Sequence, residues 1–247
     1  PADPGCSSAS DNDESDECQD GRDNDGDGLT DLNDPGCSSA SDNDESDEAS
    51  RIMLSAECIF SNPDGTKTAY FSFNNSSGGD LSIPIGSSGT TQNQFVPAGI
   101  PTQQLTSFRA GVVIGAVGVT FTGDSVEWRV RPQGAALAVA TASSSTPACK
   151  SIVPTPVCQG FLADGTLRVR FGYSNPNDFD VSLPVGASNT FSPGAPDRGQ
   201  PTLFFKGTVA SSVEIRLTSA TEALSWILTG NTASNSALPA CTGECDE

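Results

Sequence analysis

Apolar and polar positions divide the chain into two textures. From residue 51 onward, short apolar runs recur at close intervals, separated by Gly, Pro, Asn and Ser. "TAYFSFN" (68–74) and "LRVRFGYSN" (167–175) set large apolar residues at alternate positions, the pattern of half-buried strands. Asp64-Gly65 and Asp164-Gly165 stand just ahead of them and read as hairpin turns. "LSIPIG" (81–86) and "VSLPVG" (181–186) follow, then "VEWRV" (126–130) and "LSWIL" (224–228). No long stretch has the 3.6-residue period of a helix. The longest apolar run, "AGVVIGAVGVTF" (110–121), has about half the ~20 residues a membrane helix needs. Its glycines do not make a dinucleotide fingerprint, and it predicts a buried strand. Residues 1–50 show no such periodicity, and Leu29 and Leu32 are their only large aliphatic residues.

The strand-rich part repeats itself. With Cys58 set against Cys158, Asp64-Gly65-Thr66 meets Asp164-Gly165-Thr166, Phe71 meets Phe171, Asn75 meets Asn175 and Asp80 meets Asp180, a constant offset of 100 residues. Pro84 and Gly86 meet Pro184 and Gly186, and Pro101-Thr102 meets Pro201-Thr202 at the same offset. The register slips later, where Trp128 matches Trp226, and "PAC" closes both copies at Cys149 and Cys241. About seven short strands per copy predict an all-β fold, two tandem immunoglobulin-like sandwiches over 51–150 and 151–247. Cys58–Cys149 and Cys158–Cys241 would join the first strand of each copy to its end. Trp128 and Trp226, in apolar strands, predict core packing over a sugar-stacking platform. Asn74 and Asn75 each begin a glycosylation sequon.

Charge separates the first 50 residues further. The net charge is −19, yet residues 1–50 hold 17 acids against Arg22 alone. Such an arm repels nucleic acid and anionic membranes and attracts cations. It is also a repeat: "DPGCSSASDNDESDE" occurs at 3–17 and again at 34–48, a shift of 31 residues. A mere solvated charge reservoir would not need the repeated Pro-Gly and Cys. Counted from Asp23, the acids Asp23, Asp25, Asp27, Asp31 and Asp34 fall at positions 1, 3, 5, 9 and 12 of a calcium loop, with Gly28 at the turn and the Leu29 carbonyl at position 7. Calcium takes six to eight hard oxygens, and alternate aspartates on a turning loop point inward together. The helices that flank an EF-hand loop are absent from the pattern.

The D-x-D-x-D-G-L-x-D-x-x-D string between Cys18 and Cys37 resembles the calcium-wrapped repeats of thrombospondin type 3 arrays and similar repeats in secreted bacterial surface proteins. The resemblance implies an irregular arm, with almost no apolar core, wound round a line of ions. It implies a second ligand set at Asp11, Asp13, Asp16 and Asp20, copied at Asp42, Asp44 and Asp47. A Cys18–Cys37 bridge would hold the ends of the ion loop together. The aromatic-Asn, P-x-G, P-T and late Trp pattern of the two copies is similar to tandem domains of secreted bacterial surface proteins.

Eight cysteines, no histidine and no C-x-x-C pair point to disulfides in an oxidising compartment rather than to zinc. The chain opens at Pro1 without a signal peptide, as a mature or trimmed form would. Three internal bridges leave Cys6 and Cys245, near opposite ends, for an intermolecular bond. No nucleophile–base motif is present, so an enzyme is not expected. The expectation is an extracellular or cell-surface protein, with Ca2+ as its cofactor and no membrane insertion. It would be the structural protomer of a filament or stalk that associates head to tail. The competing reading is a calcium-dependent adhesin or carbohydrate-binding accessory module with a glycan or surface ligand.

Overall fold

The computed structural model describes residues 16–24, 29–34, 36–37, 39–42, 45, 52–88, 91–97, 104–133, 135–218, 222–236 and 238–241. They form an all-β, sandwich-like protein. Two 3-10 turns, Glu17–Gln19 and Asp31–Asn33, come first. The strands of the first half are β1 (Ile52–Ser61), β2 (Lys67–Asn75), β3 (Leu81–Ser82), β4 (Gly86–Ser88), β5 (Thr91–Val96), β6 (Ser107–Phe108), β7 (Gly111–Phe121), β8 (Val126–Arg131) and β9 (Ala138–Ala142). Those of the second are β10 (Val153–Phe161), β11 (Leu167–Asn175), β12 (Val181–Ser182), β13 (Asn189–Ser192), β14 (Leu203–Phe204), β15 (Gly207–Leu217), β16 (Ser225–Leu228) and β17 (Asn231–Ser234). Sheet orders are β1-β2-β7, β3-β6 and β4-β5-β8-β9, then β10-β11-β15, β12-β14 and β13-β16-β17.

The chain gathers into two compact units. One takes Pro1–Ala56, Phe71–Val119 and Asp124–Ser144; the other takes Glu57–Tyr70, Thr120–Gly123 and Ser145–Glu247. In the first unit the core is built on Trp128, fully buried, stacked on Phe95 and Phe108 at 5.6 and 5.7 Å and met edge-on by Phe71. In the second, Trp226 is likewise buried, stacked on Phe191 at 5.6 Å and met edge-on by Phe171. Both tryptophans are core residues, and neither offers a face to a sugar.

Each indole N–H reaches an asparagine hub. Trp226 Nε1 donates to Asn189 Oδ1 at 3.0 Å, while Asn189 Nδ2 donates to the carbonyls of Leu183 and Pro201. Trp128 Nε1 donates to Asn93 Oδ1 at 3.2 Å, and Asn93 Nδ2 donates to Ile83 and Leu105. A buried Trp needs such a partner, because an orphaned N–H in the core is costly.

These bonds correct the alignment. Leu105, not Pro101, occupies the place of Pro201, so from Asn93 to Thr120 the offset is 96, not 100. Asn75 and Asn175 agree, binding the carbonyls of Phe108 and Phe204. The four residues are absorbed between Gly86 and Asn93, where the first half makes the β4–β5 hairpin and the second makes a single Gly186–Asn189 bridge.

The turns follow their sequences. Asn62 and Thr66 close a three-residue turn with Gly65 at φ 83°, and Leu162 and Thr166 do the same with Gly165 at φ 83°, a left-handed position that Gly takes without strain. Strand β7 is buried only in its second part. Val112 and Ile114 are exposed, contrary to the buried strand that the run predicts.

Candidate metal centre

The arm folds around one disulfide and two buried carboxylates. Cys18, fully buried, bonds Cys37 with 5.6 Å between their Cα atoms. The Cys18 N–H donates to the Asp42 carbonyl, which ties the start of the arm to the second acidic string.

Glu45 is the hub. Its side chain is fully buried, and its carboxylate accepts the Asn24 N–H through Oε2 at 2.7 Å and the Asp31 N–H through Oε1 at 2.6 Å. It therefore spans the stretch in which the calcium loop is expected. Asp31 sits at φ 51°, a left-handed conformation that Asp tolerates better than most residues. Its Oδ1 accepts the Gly21 N–H at 2.9 Å. Asp20 accepts from the Arg22 N–H at 2.8 Å and from Asn24 Nδ2 at 3.3 Å, and its carboxylate lies 3.8 Å from the Arg22 guanidinium. Asp34 is buried, and its Oδ1 accepts the Gly36 N–H at 2.7 Å across the Asp-Pro-Gly turn.

The same turn explains the glycine at 36. A Cβ on Gly36 would collide with the Glu45 carbonyl oxygen, so only Gly lets the two strings pass this closely. At 34–37 the "DPGC" motif thus keeps Gly36 for packing and Cys37 for the bridge, and neither role follows from charge alone.

Of the expected ligands, Asp23 is exposed, Leu29 is half-buried, and Asp31 and Asp34 bond backbone N–H groups as described. Asp16 accepts from Gln19 Nε2, and the Asp42 N–H donates to the Ser39 carbonyl. Asp25, Asp27, Asp11, Asp13, Asp44 and Asp47 lie outside the described residues, as do Cys6 and Cys245. Among the described residues no three acidic or cysteine side chains are drawn together as an ion-holding group. Glu45 was not among the residues singled out by spacing. The signal for it lay in the repeat, where it stands in the retained "DESDE" string.

The other two bridges join Cys58 to Cys149 and Cys158 to Cys241. The segment that follows Cys149 is pinned within its unit. Asn177 binds the N–H and carbonyl of Lys150, and Thr229 Oγ1 accepts the Ile152 N–H and donates to its carbonyl. Ile152 is fully buried. Of the two sequons, Asn75 is buried, with Nδ2 bonded to the carbonyls of Gly79 and Phe108, so its amide is closed to a glycan. Among the described residues no helix is long and apolar enough to cross a membrane. No family model, curated protein or solved structure matches the chain.

Proposed function

We propose that the protein is the structural protomer of an extracellular filament or surface stalk. Its two immunoglobulin-like sandwiches would be preceded by an arm that calcium stiffens. The pinned segment 150–153 carries this reading. The composition and order of a connection set its stiffness and reach. Here the residues after Cys149 are held to the second copy by four hydrogen bonds and a buried isoleucine, which supports a short connection with little slack. The three disulfides support an oxidising, extracellular setting.

Calcium fits the donor chemistry of the arm. Asp23, Asp25, Asp27, Asp31, Asp34 and the Leu29 carbonyl offer only hard oxygens, and Glu45 already buries a carboxylate among them. When bound, the ion would offset the mutual repulsion of these carboxylates. Glu45 would hold the loop closed through the Asn24 and Asp31 N–H groups. Polymerisation would run head to tail, with Cys245 of one chain bonded to Cys6 of the next.

Negative-stain images of the oxidised full chain, with calcium and with chelator, test the reading. Stiff linear arrays with calcium are expected, and non-reducing gels should show a ladder that Cys245→Ser abolishes. Isolated monomers in both conditions would refute the filament. Calorimetry without heat on adding millimolar calcium, together with unchanged proteolysis of 16–45, would refute the ion.

A further inference from the structure

The outer face of the β10-β11-β15 sheet gathers three arginines. Arg168 and Arg170 lie on β11, opposite Arg216 and Glu214 of β15. They are three of the five basic residues in 151–247. Glu214 Oε2 serves two of them, 3.1 Å from Arg170 Nε and 3.6 Å from Arg168 Nη1. Arg168 is only 4% exposed, and its Nη2 is buried without a hydrogen-bond partner. Arg216 is exposed, and its charge helps hold the Asp164 carboxyl below the usual value, after the hydrogen bonds from Thr166. Among the described residues, three guanidiniums against Glu214 and Asp164 leave the face positive. A buried guanidinium short of an acceptor calls for an anion, because its desolvation is not yet offset.

The first half shows what covers this position. Its equivalents are Thr68, Tyr70 and Thr120, with the Thr68–Thr120 hydroxyl pair in place of Arg168 and Arg216. Tyr70 is buried there, its ring 5.0 Å from Phe179 and its hydroxyl donating to the Ser182 carbonyl. Thr68 and Thr120 line a cleft of about 210 Å³ that Ser182–Ser188 close. The later part of the chain thus covers this face of the earlier copy. On the later copy the face has exchanged a neutral surface for a cationic one.

We propose that the Arg168–Arg170–Arg216 face docks carboxylates of the acidic arm of a second copy of this chain. The arm, with 17 acids and one base, is the segment of opposite sign. The contact joins different surfaces of the two copies, so it is heterologous and propagates. The inference rests on the head-to-tail reading and supplies the surface for it.

The experiment is sedimentation velocity on the oxidised full chain, calcium-free, at low and high salt, with circular dichroism to confirm the fold. Wild type should self-associate at low salt and dissociate as salt rises. R170E/R216E should weaken association by about tenfold or more, and the charge-keeping R170K/R216K should retain it. A D16N/D20N/D23N arm variant, which keeps its Arg face, should also fail to associate alone, yet form a complex when mixed with R170E/R216E, whose arm is intact; a pair that stays apart overturns the proposal. Mixed with wild type, whose Arg face and arm are both intact, it should bind through its own face. Wild type that stays monomeric at low salt overturns the proposal, as does R170E/R216E that associates like wild type. An Arg-dependent retention on an anionic glycan by a monomeric wild type would assign the face to a sugar and overturn it too. Filaments that form equally well with R170E/R216E would overturn the dock while leaving the filament reading intact.

Discussion

Asn189→Ala should be among the most damaging single changes in the second unit. Asn189 is fully buried and makes three bonds: two donated to the Leu183 and Pro201 carbonyls and one accepted from Trp226 Nε1. Alanine removes all three and leaves two carbonyls and an indole N–H in a dry core. Each orphaned group costs about 1–3 kcal/mol. The carbonyls retain a second lone pair and fall at the low end, so the sum is about 3–5 kcal/mol, a large part of a domain's stability. Urea unfolding of the full chain, read by Trp226 fluorescence in a Trp128→Phe background, measures it. Asn189→Asp is the sharper control. It keeps the acceptor for Trp226 but turns an oxygen toward the two carbonyls, so at neutral pH it should be no better than Ala. At low pH a protonated carboxyl could donate to one carbonyl, and the aspartate variant should gain on the alanine variant. A loss below about 1 kcal/mol for Ala, or wild-type stability for Asp at neutral pH, would refute the hub.

Gly36→Ala forces the Asp-Pro-Gly turn away from the Glu45 carbonyl, and limited proteolysis should cut the stretch 16–45 faster than in wild type. Cys158→Ser with Cys241→Ser removes a closure spanning 83 residues and should cost about 4–5 kcal/mol in the chain-entropy account, read as a lower urea midpoint of the Trp226 transition. Asp64 and Asp164 are held below the usual carboxylate value, first by the Thr66 and Thr166 N–H groups; their stabilisation is complete above the unfolded value near 3.8 and is lost only as pH falls through the lower folded value, so Asp64→Asn should flatten the acid limb of a pH–stability curve below that point. A glycopeptide map of folded protein from a eukaryotic secretory host should find no sugar on Asn75.

Much of the architecture was legible because it depends on local rules. Period-2 runs became strands, Asp-Gly became tight turns, and bracketing cysteines met in the expected pairs. What escaped was long-range. Asn93 and Asn189 look like ordinary polar strand residues until Trp128 and Trp226 are seen above them. The 96-residue offset was hidden because a chance Pro-Thr at 101 imitates the one at 201, and only the hydrogen bonds to Leu105 and Pro201 separate the two. The exposure of Val112 and Ile114 could not be read from a run of apolar letters, since their strand leaves the core partway along. In the arm, spacing selected aspartates, but closure falls to Glu45, whose longer side chain reaches both Asn24 and Asp31.

The placement of the bridges has a mechanical meaning. Tension applied along the chain enters the first half at Cys58 and leaves at Cys149, whose Cα atoms are 4.8 Å apart. The covalent shortcut bypasses everything between them, and Cys158–Cys241 does the same across 5.0 Å. The sequestered stretches span 91 and 83 residues, which at about 3.4 Å each would be roughly 300 Å of slack apiece if released. Pulling therefore cannot draw out the residues between the joined sulfurs; only the parts of β1 and β10 that precede Cys58 and Cys158 can be peeled away. The load falls instead on the backbone outside the loops, among it the eight residues from Lys150 to Val157, which hydrogen bonds at Lys150 and Ile152 and the start of β10 hold in place. A tether of limited extension results, its length set mainly by cystine chemistry and by the few strand residues that stand ahead of each bridge.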